Sequence, residues 1–230
     1  MRIYWSGIPL QISVITNKRE RRIWQTVFRI DGKFFEIISR LGDLIILNII
    51  FLICCIPIIT VGASVTAMYA VTKKMAQNRE SYLVRSYFRA FKENFRQSTI
   101  MWIILGGLFI ISALDFYVVQ NAMEGMMQAC FMMLGMLVFI LLTFVTIYAL
   151  TLQCTFENTI KNTMKNALLL SIGHAPMSIL ITILTLSPFI AIVALQKYAG
   201  IILLGMICLW FSGTAYLNSF LLNRIYRRYM

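Results

Sequence analysis

Histidine is almost missing from this sequence. His174 is the only one, and nine acidic residues are scattered over 230 positions. A nucleophilic triad or a carboxylate pair needs such groups in converging sets, and none can be assembled from these. His174, at the mouth of an apolar run, reads as an interfacial residue rather than a ligand or base. The five cysteines (Cys54, Cys55, Cys130, Cys154 and Cys208) lie in or beside apolar runs without zinc-ligand spacing, so they read as free thiols. No GxxxxGK[ST] stretch exists, which excludes direct ATP binding through a Walker loop. Charge is scarce too: 13% of residues carry it, against roughly 25% in an ordinary soluble domain. These absences point away from an enzyme and away from a bound cofactor or metal.

Apolar length stands in their place. Hydrophobic residues make up 60% of the chain. A bilayer core of about 30 Å asks about 20 apolar residues of a helix. Four runs meet that length: 99–119, 127–153, 175–195 and 200–222. They are too long for strands and do not alternate apolar with polar. A further run, 44–74, is broken at Cys55-Ile56-Pro57 and again at Gly62. Proline ends a helix and glycine tolerates a turn, so 37–74 reads as a broken helical hairpin. The expected fold is all-α: a polytopic helical membrane protein with that hairpin and four further transmembrane helices. Residues 23–230 form one membrane domain behind a basic and aromatic extension, 1–22. Residues 10–15 are too short for the core of a signal peptide and are interrupted by Gln11 and Ser13, so no cleavable leader is expected.

The net charge of +12 resembles a nucleic-acid signal until it is mapped. Lys and Arg number eight before residue 42, seven in 73–97, two in 153–174, one in 196–199 and three after 222. Basic residues favour the cytoplasmic side of short loops. If 42–72 crosses once, the two sides carry nine and twelve basic residues, which is no bias. If it enters and returns, they carry twenty and one. The second threading is preferred. It puts both termini in the cytoplasm and the chain in the plasma membrane as a multi-pass protein. Whether the hairpin is re-entrant or makes two full spans stays open at this level.

Several surfaces are candidates for contact. Pro57 marks the hairpin tip. Gly62, Ala63, Thr66, Ala67 and Ala70 recur three and four apart, a face on which another helix can sit closely. In 79–97, Val84, Tyr87, Phe88, Phe91 and Phe95 share one expected face, opposite Arg85, Arg89, Lys92 and Arg96. Nucleic-acid binding needs aromatic and basic groups on one surface. Their separation, next to membrane spans, points instead to an interfacial helix against lipid. Residues 23–41 read as a second amphipathic helix at the interface. Beyond the apolar part of 127–153, Thr151, Thr155, Thr159, Asn162 and Asn166 form a stripe that reads as an inward helical extension and a partner surface. The methionines of 123–136 are read as packing residues rather than a copper path. Pro188 predicts a kink in 175–195.

The motif of 47–69, from Leu47-Asn48 through Ile56-Pro57 and Val61-Gly62-Ala63-Ser64 to Met68-Tyr69, resembles the signature of the YesL family of bacterial membrane proteins. Two further stretches do too: 87–98, Tyr87-Phe88-Arg89-Ala90-Phe91-Lys92-Glu93-Asn94-Phe95-Arg96-Gln97-Ser98, and 165–170 ahead of Pro176. The resemblance covers 25–225. That family is a domain of unknown function found mostly in Gram-positive bacteria, typically encoded beside carbohydrate ABC importers and their two-component regulators. The resemblance implies a non-enzymatic accessory subunit that binds the permease subunits of a sugar or oligosaccharide importer, with no catalytic residue carried over. A stand-alone channel or secondary transporter, and a membrane sensor beside a histidine kinase, are the alternatives.

Overall fold

The computed structural model describes residues 18–77, 82–156 and 158–226, with side chains from residue 37 onward. The expected extension 1–22 lies outside the described residues apart from the backbone of its last few. The side chains of 23–36 lie outside them as well. Every described element is helical. The chain divides into two compact units between Gly42 and Asp43. The first unit, 1–42, holds the start of α1 (Lys18–Cys55), and the second, from Asp43, holds everything described below.

Five stretches are long and apolar enough to cross a membrane: Ile37–Cys55, Leu83–Ala122, Gly125–Gln153, Ala175–Ala194 and Gln196–Tyr226. Many of their side chains face outward and are apolar, among them Ile110, Leu134, Ile183 and Val193. Such surface is stable only against lipid. The chain is therefore an all-α polytopic membrane protein.

The hub is the one apolar element too short to join that set. α2 (Val61–Ala76) buries ten of its sixteen residues. It packs against α3 (Leu83–Ala122), α8 (Phe211–Tyr226) and α4 (Gly125–Gln153). Small side chains explain the position. In lipid there is no hydrophobic drive between helices, so close backbone approach and internal hydrogen bonds hold them together. α2 supplies both. Gly62 meets the Ser98 carbonyl and the Trp102 side chain so closely that an added Cβ would lie 2.6 Å from each. The Ser98 hydroxyl donates to Thr66 Oγ1 at 2.9 Å, and Thr66 donates in turn to its own Gly62 carbonyl.

α1 ends at Cys55, and a 3₁₀ turn (Ile58–Thr60) leads into α2. The Cys54 carbonyl accepts from both Thr60 Oγ1 (2.6 Å) and Ser64 Oγ (3.1 Å). In a straight helix residues 54 and 64 would stand about 15 Å apart, so the chain bends sharply here. The broken hairpin is present, with Ile56, Pro57, Ile58 and Ile59 exposed at its tip.

Two expectations about helix boundaries are corrected. An interfacial helix 79–97 separate from a span 99–119 is not found. Both belong to α3, 40 residues and about 60 Å long. No glycine or proline lies between Leu83 and Trp102 to break it, and Ser98 and Thr99 are buried within it. The opposite correction applies to α4. It was expected to continue through Asn166, but it stops at Gln153. The N–H groups of Thr155 and Phe156 both close on the Leu152 carbonyl at 2.9 Å, and a new helix, α5 (Ile160–Gly173), starts after an extended Thr159.

α3 and α4 lie antiparallel. Phe109 meets Phe139 with ring centroids 5.2 Å apart, Gly135 faces Phe116, and Gln97 bonds Gln153. The turn at Met123–Glu124 thus marks one end of the bundle and Gln153 the other. α6 (Ala175–Ala194) carries Pro188 in its interior. The Leu184 carbonyl, which that proline cannot bond, accepts the Ser187 hydroxyl at 3.0 Å. The last span is α7 (Ala199–Gly205), a π-helical turn (Met206–Trp210) and α8.

Candidate functional site

Two polar constellations are buried in this bundle. The first joins α1 to the π-helical turn. Such a turn displaces carbonyls from their usual partners, and lipid offers none. Asn48, fully buried, supplies them. Its Nδ2 donates to the Met206 carbonyl (3.0 Å) and the Ile207 carbonyl (2.6 Å), and its Oδ1 accepts from the Ser212 N–H (3.0 Å). Ser212 Oγ then donates to the Leu44 carbonyl at 2.7 Å. Neither residue was singled out from the sequence for this role. The signal was there: one asparagine inside the apolar run of 44–56.

The second constellation fills the end of the bundle where α2, α4 and α8 finish. Thr72 and Ser219 share a hydrogen bond of 2.9 Å, and Thr151 and the Tyr226 hydroxyl one of 2.7 Å. Asn218 Nδ2 donates to the Tyr69 hydroxyl (3.4 Å) and to Thr185 Oγ1 (3.2 Å). On α6, Ser178 donates to the Tyr148 hydroxyl at 3.2 Å. The Asn218 Oδ1 is buried without a partner.

Lys73 brings a cation to this region. It is half-buried, its Nζ donates to Thr155 Oγ1 at 3.1 Å, and the ammonium stands 5.8 Å from the centre of the Tyr226 ring. Burial lowers its pKa, and burial raises that of the neighbouring Cys154 thiol. Lys73, Tyr69, Thr155, Asn223 and Tyr226 line a shallow recess that is open at its mouth.

The residues chosen from the sequence fall into separate places. Gly62, Ala63, Thr66 and Ala67 are buried within the chain's own packing, and Ala70 is half-buried. That face is therefore occupied by this chain and is not offered to a partner. Pro57 is exposed at the hairpin tip. The stripe from Thr155 to Asn166 is divided by the helix break: Thr155 turns in to Lys73, while Thr159, Asn162 and Asn166 are exposed. On α3, Arg85, Arg89 and Arg96 are exposed as expected. The expected apolar face, however, is divided. Tyr87 is buried, Phe91 is half-buried, and Val84, Phe88 and Phe95 are exposed. Tyr87 explains the division, because its ring packs on Phe91 and its hydroxyl reaches the Ser64 carbonyl at 3.5 Å.

Among the described residues no group of three or more His, Cys, Asp or Glu side chains is placed to hold a metal ion. All five cysteines are free thiols.

Residues 44–116 match the family model DUF624, described as a protein of unknown function. The matched segment runs from the second half of α1 through α2 into α3, so it contains the hub and its closest packing partner. No curated protein and no solved structure gives a significant match.

Proposed function

We propose that this chain is a non-enzymatic accessory subunit of a carbohydrate ABC importer, docked on its permease subunits in the plasma membrane with both termini cytoplasmic. The reading draws on the resemblance to the YesL family and on the setting of that family. One observation of the structure supports it most. α3 meets the last residue of α4 at Gln97 and continues for 14 residues back to Leu83, about 21 Å of helix beyond the end of α4. This part lies against α2, with Tyr87 and Ala90 buried, and its outer face presents Val84, Phe88 and Phe95 together with Arg85, Arg89, Lys92 and Arg96. Exposed aromatics interleaved with arginine are the composition of protein interfaces rather than of an idle solvated face. The exposed Thr159, Asn162 and Asn166 of α5 offer a second, polar contact.

The test is co-purification of the tagged full-length chain from native membranes. A permease chain should emerge with it, and Phe88→Asp combined with Phe95→Asp should lose that chain while leaving elution as a folded monomer intact. Recovery of the wild-type chain without any permease or ATPase would refute the assignment.

A second reading, a channel or secondary transporter for a small solute, is favoured by the two interrupted elements, the hairpin break and the π-helical turn. Interrupted helices build midplane sites in transporters. Solute flux into liposomes that contain this chain alone decides it.

A further inference from the structure

The tip of the hairpin suits neither lipid nor water. Ile56, Pro57, Ile58 and Ile59 are exposed there, Ile56 and Ile58 each to 78%. Isoleucine surface so placed is unfavourable against water. The broken backbone beside it is unfavourable against lipid. The chain covers part of that backbone itself: the Cys54, Pro57 and Ile58 carbonyls accept from Thr60, Ser64 and Trp102. The Ile56 carbonyl and the Ile58 N–H have no hydrogen-bond partner among the described residues, and no hydrogen-bonded turn encloses residues 56 and 57. A polypeptide is the surrounding that supplies apolar contact and peptide groups together.

Pro57 sets the geometry. It is extended, at φ −75° and ψ 117°. In extended backbone the carbonyl before a residue and the N–H after it point to the same side. The Ile56 carbonyl and the Ile58 N–H therefore form one short strand edge, an acceptor beside a donor. The N–H that proline lacks would fall on the other side, where a pairing of this kind needs none. Such an edge is complementary to a copy of itself turned by a two-fold rotation.

We infer that two copies of this chain meet at their hairpin tips within the membrane. Each Ile58 N–H donates to the Ile56 carbonyl of the other copy, and the two prolines face one another across the axis. In an antiparallel pair that is the closer, non-hydrogen-bonded position, with Cα atoms about 4.5 Å apart. The contact is small and lies in lipid, so it is read in the membrane before detergent is added. It requires no importer, so this pairing and the co-purification of a permease succeed or fail separately.

Disulfide cross-linking in native membranes is the test. The full-length chain, its own cysteines replaced, is expressed in one cell with two different tags. Under a membrane-permeant oxidant, Pro57→Cys should link more than half of the chain into a species that carries both tags. Ile183→Cys, also exposed but on α6, should stay unlinked. If Pro57→Cys does not fold, co-expressed Ile56→Cys and Ile58→Cys copies should link to each other instead, because the antiparallel pairing sets 56 opposite 58. The inference is overturned if neither Pro57→Cys nor the Ile56→Cys and Ile58→Cys pair links, if Ile183→Cys links as fully, or if the linked species joins a different protein.

Discussion

Gly62 and Trp102 are in contact at a separation that no other residue at position 62 permits. A Cβ built on Gly62 would lie 2.6 Å from Trp102 Cβ and 2.6 Å from the Ser98 carbonyl oxygen. Neither is the tip of a flexible side chain. Trp102 is further pinned because its Nε1 donates to the Ile58 carbonyl at 2.9 Å. Gly62→Ala should therefore force α2 and α3 apart. Overpacking of this kind costs about 1–3 kcal/mol, more than the roughly 1 kcal/mol that alanine gains over glycine inside a helix. The thermal midpoint of the purified protein should fall. Gly106→Ala, on the same helix as Trp102 with nothing within 4 Å of its Cβ, should leave it unchanged or raise it.

Asn48 holds three backbone groups of the last span. Asn48→Leu keeps the branching at Cγ, adds some volume and removes all three hydrogen bonds, leaving the Met206 and Ile207 carbonyls and the Ser212 N–H without their side-chain partner. Each unsatisfied buried group costs about 1–3 kcal/mol. Ser212→Ala removes one side-chain donor, and hydrogen bonds between membrane helices average about 0.6 kcal/mol. Unfolding in mixed micelles should rank wild type above Ser212→Ala and Ser212→Ala well above Asn48→Leu. Equal stability of the two variants would mean that the π-helical turn satisfies its own backbone.

Arg89 and Glu93 form an ion pair of 2.9 Å, one turn apart on α3, with both side chains mostly exposed. A solvated pair at this spacing contributes about 0.3–0.5 kcal/mol and is weakened by salt. Glu93→Gln should change the midpoint by less than the Asn48 or Gly62 substitutions do, and the small difference should vanish in high salt. A large loss would show that the carboxylate has a second role on the outer face of α3.

The apolar runs were legible because bilayer thickness sets a length that composition alone can reveal. Four of the five spans lie where those runs lie. Helix ends were less legible, for a physical reason. The junction at Gln97-Ser98 looks like a boundary because charge stops there, yet nothing in the backbone stops. Thr155 looks like the next step of a stripe, yet its hydroxyl is drawn inward by Lys73, 82 positions away. The face formed by Gly62, Ala63, Thr66 and Ala67 was readable as a close-packing surface. Its partner was not, because small side chains carry no address; Trp102 supplies it through a contact 40 residues on. The recess at Lys73 was illegible for the same reason. Its walls come from α2, α4, α8 and the residues that follow Gln153, and no local pattern joins them.

The depth of the hairpin gives the sharpest test of the threading. Ile58 is bonded through its carbonyl to Trp102, and Trp102 stands 20 residues, about 30 Å, before the end of α3 at Ala122. α2 is 16 residues long and covers about 24 Å. The tip therefore turns far short of the end marked by Met123 and Glu124, and it does so with Ile56 and Ile58 each 78% exposed. Isoleucines so placed are stable in hydrocarbon and not in water. In a chain whose own cysteines are replaced, Ile58→Cys should resist a membrane-impermeant maleimide in intact cells. It should gain reactivity only after solubilisation. Glu124→Cys should react in intact cells and Gln77→Cys only in inverted vesicles. If Ile58→Cys reacted in intact cells as fast as Glu124→Cys, the hairpin would cross to the outer water, and its two arms would be full spans.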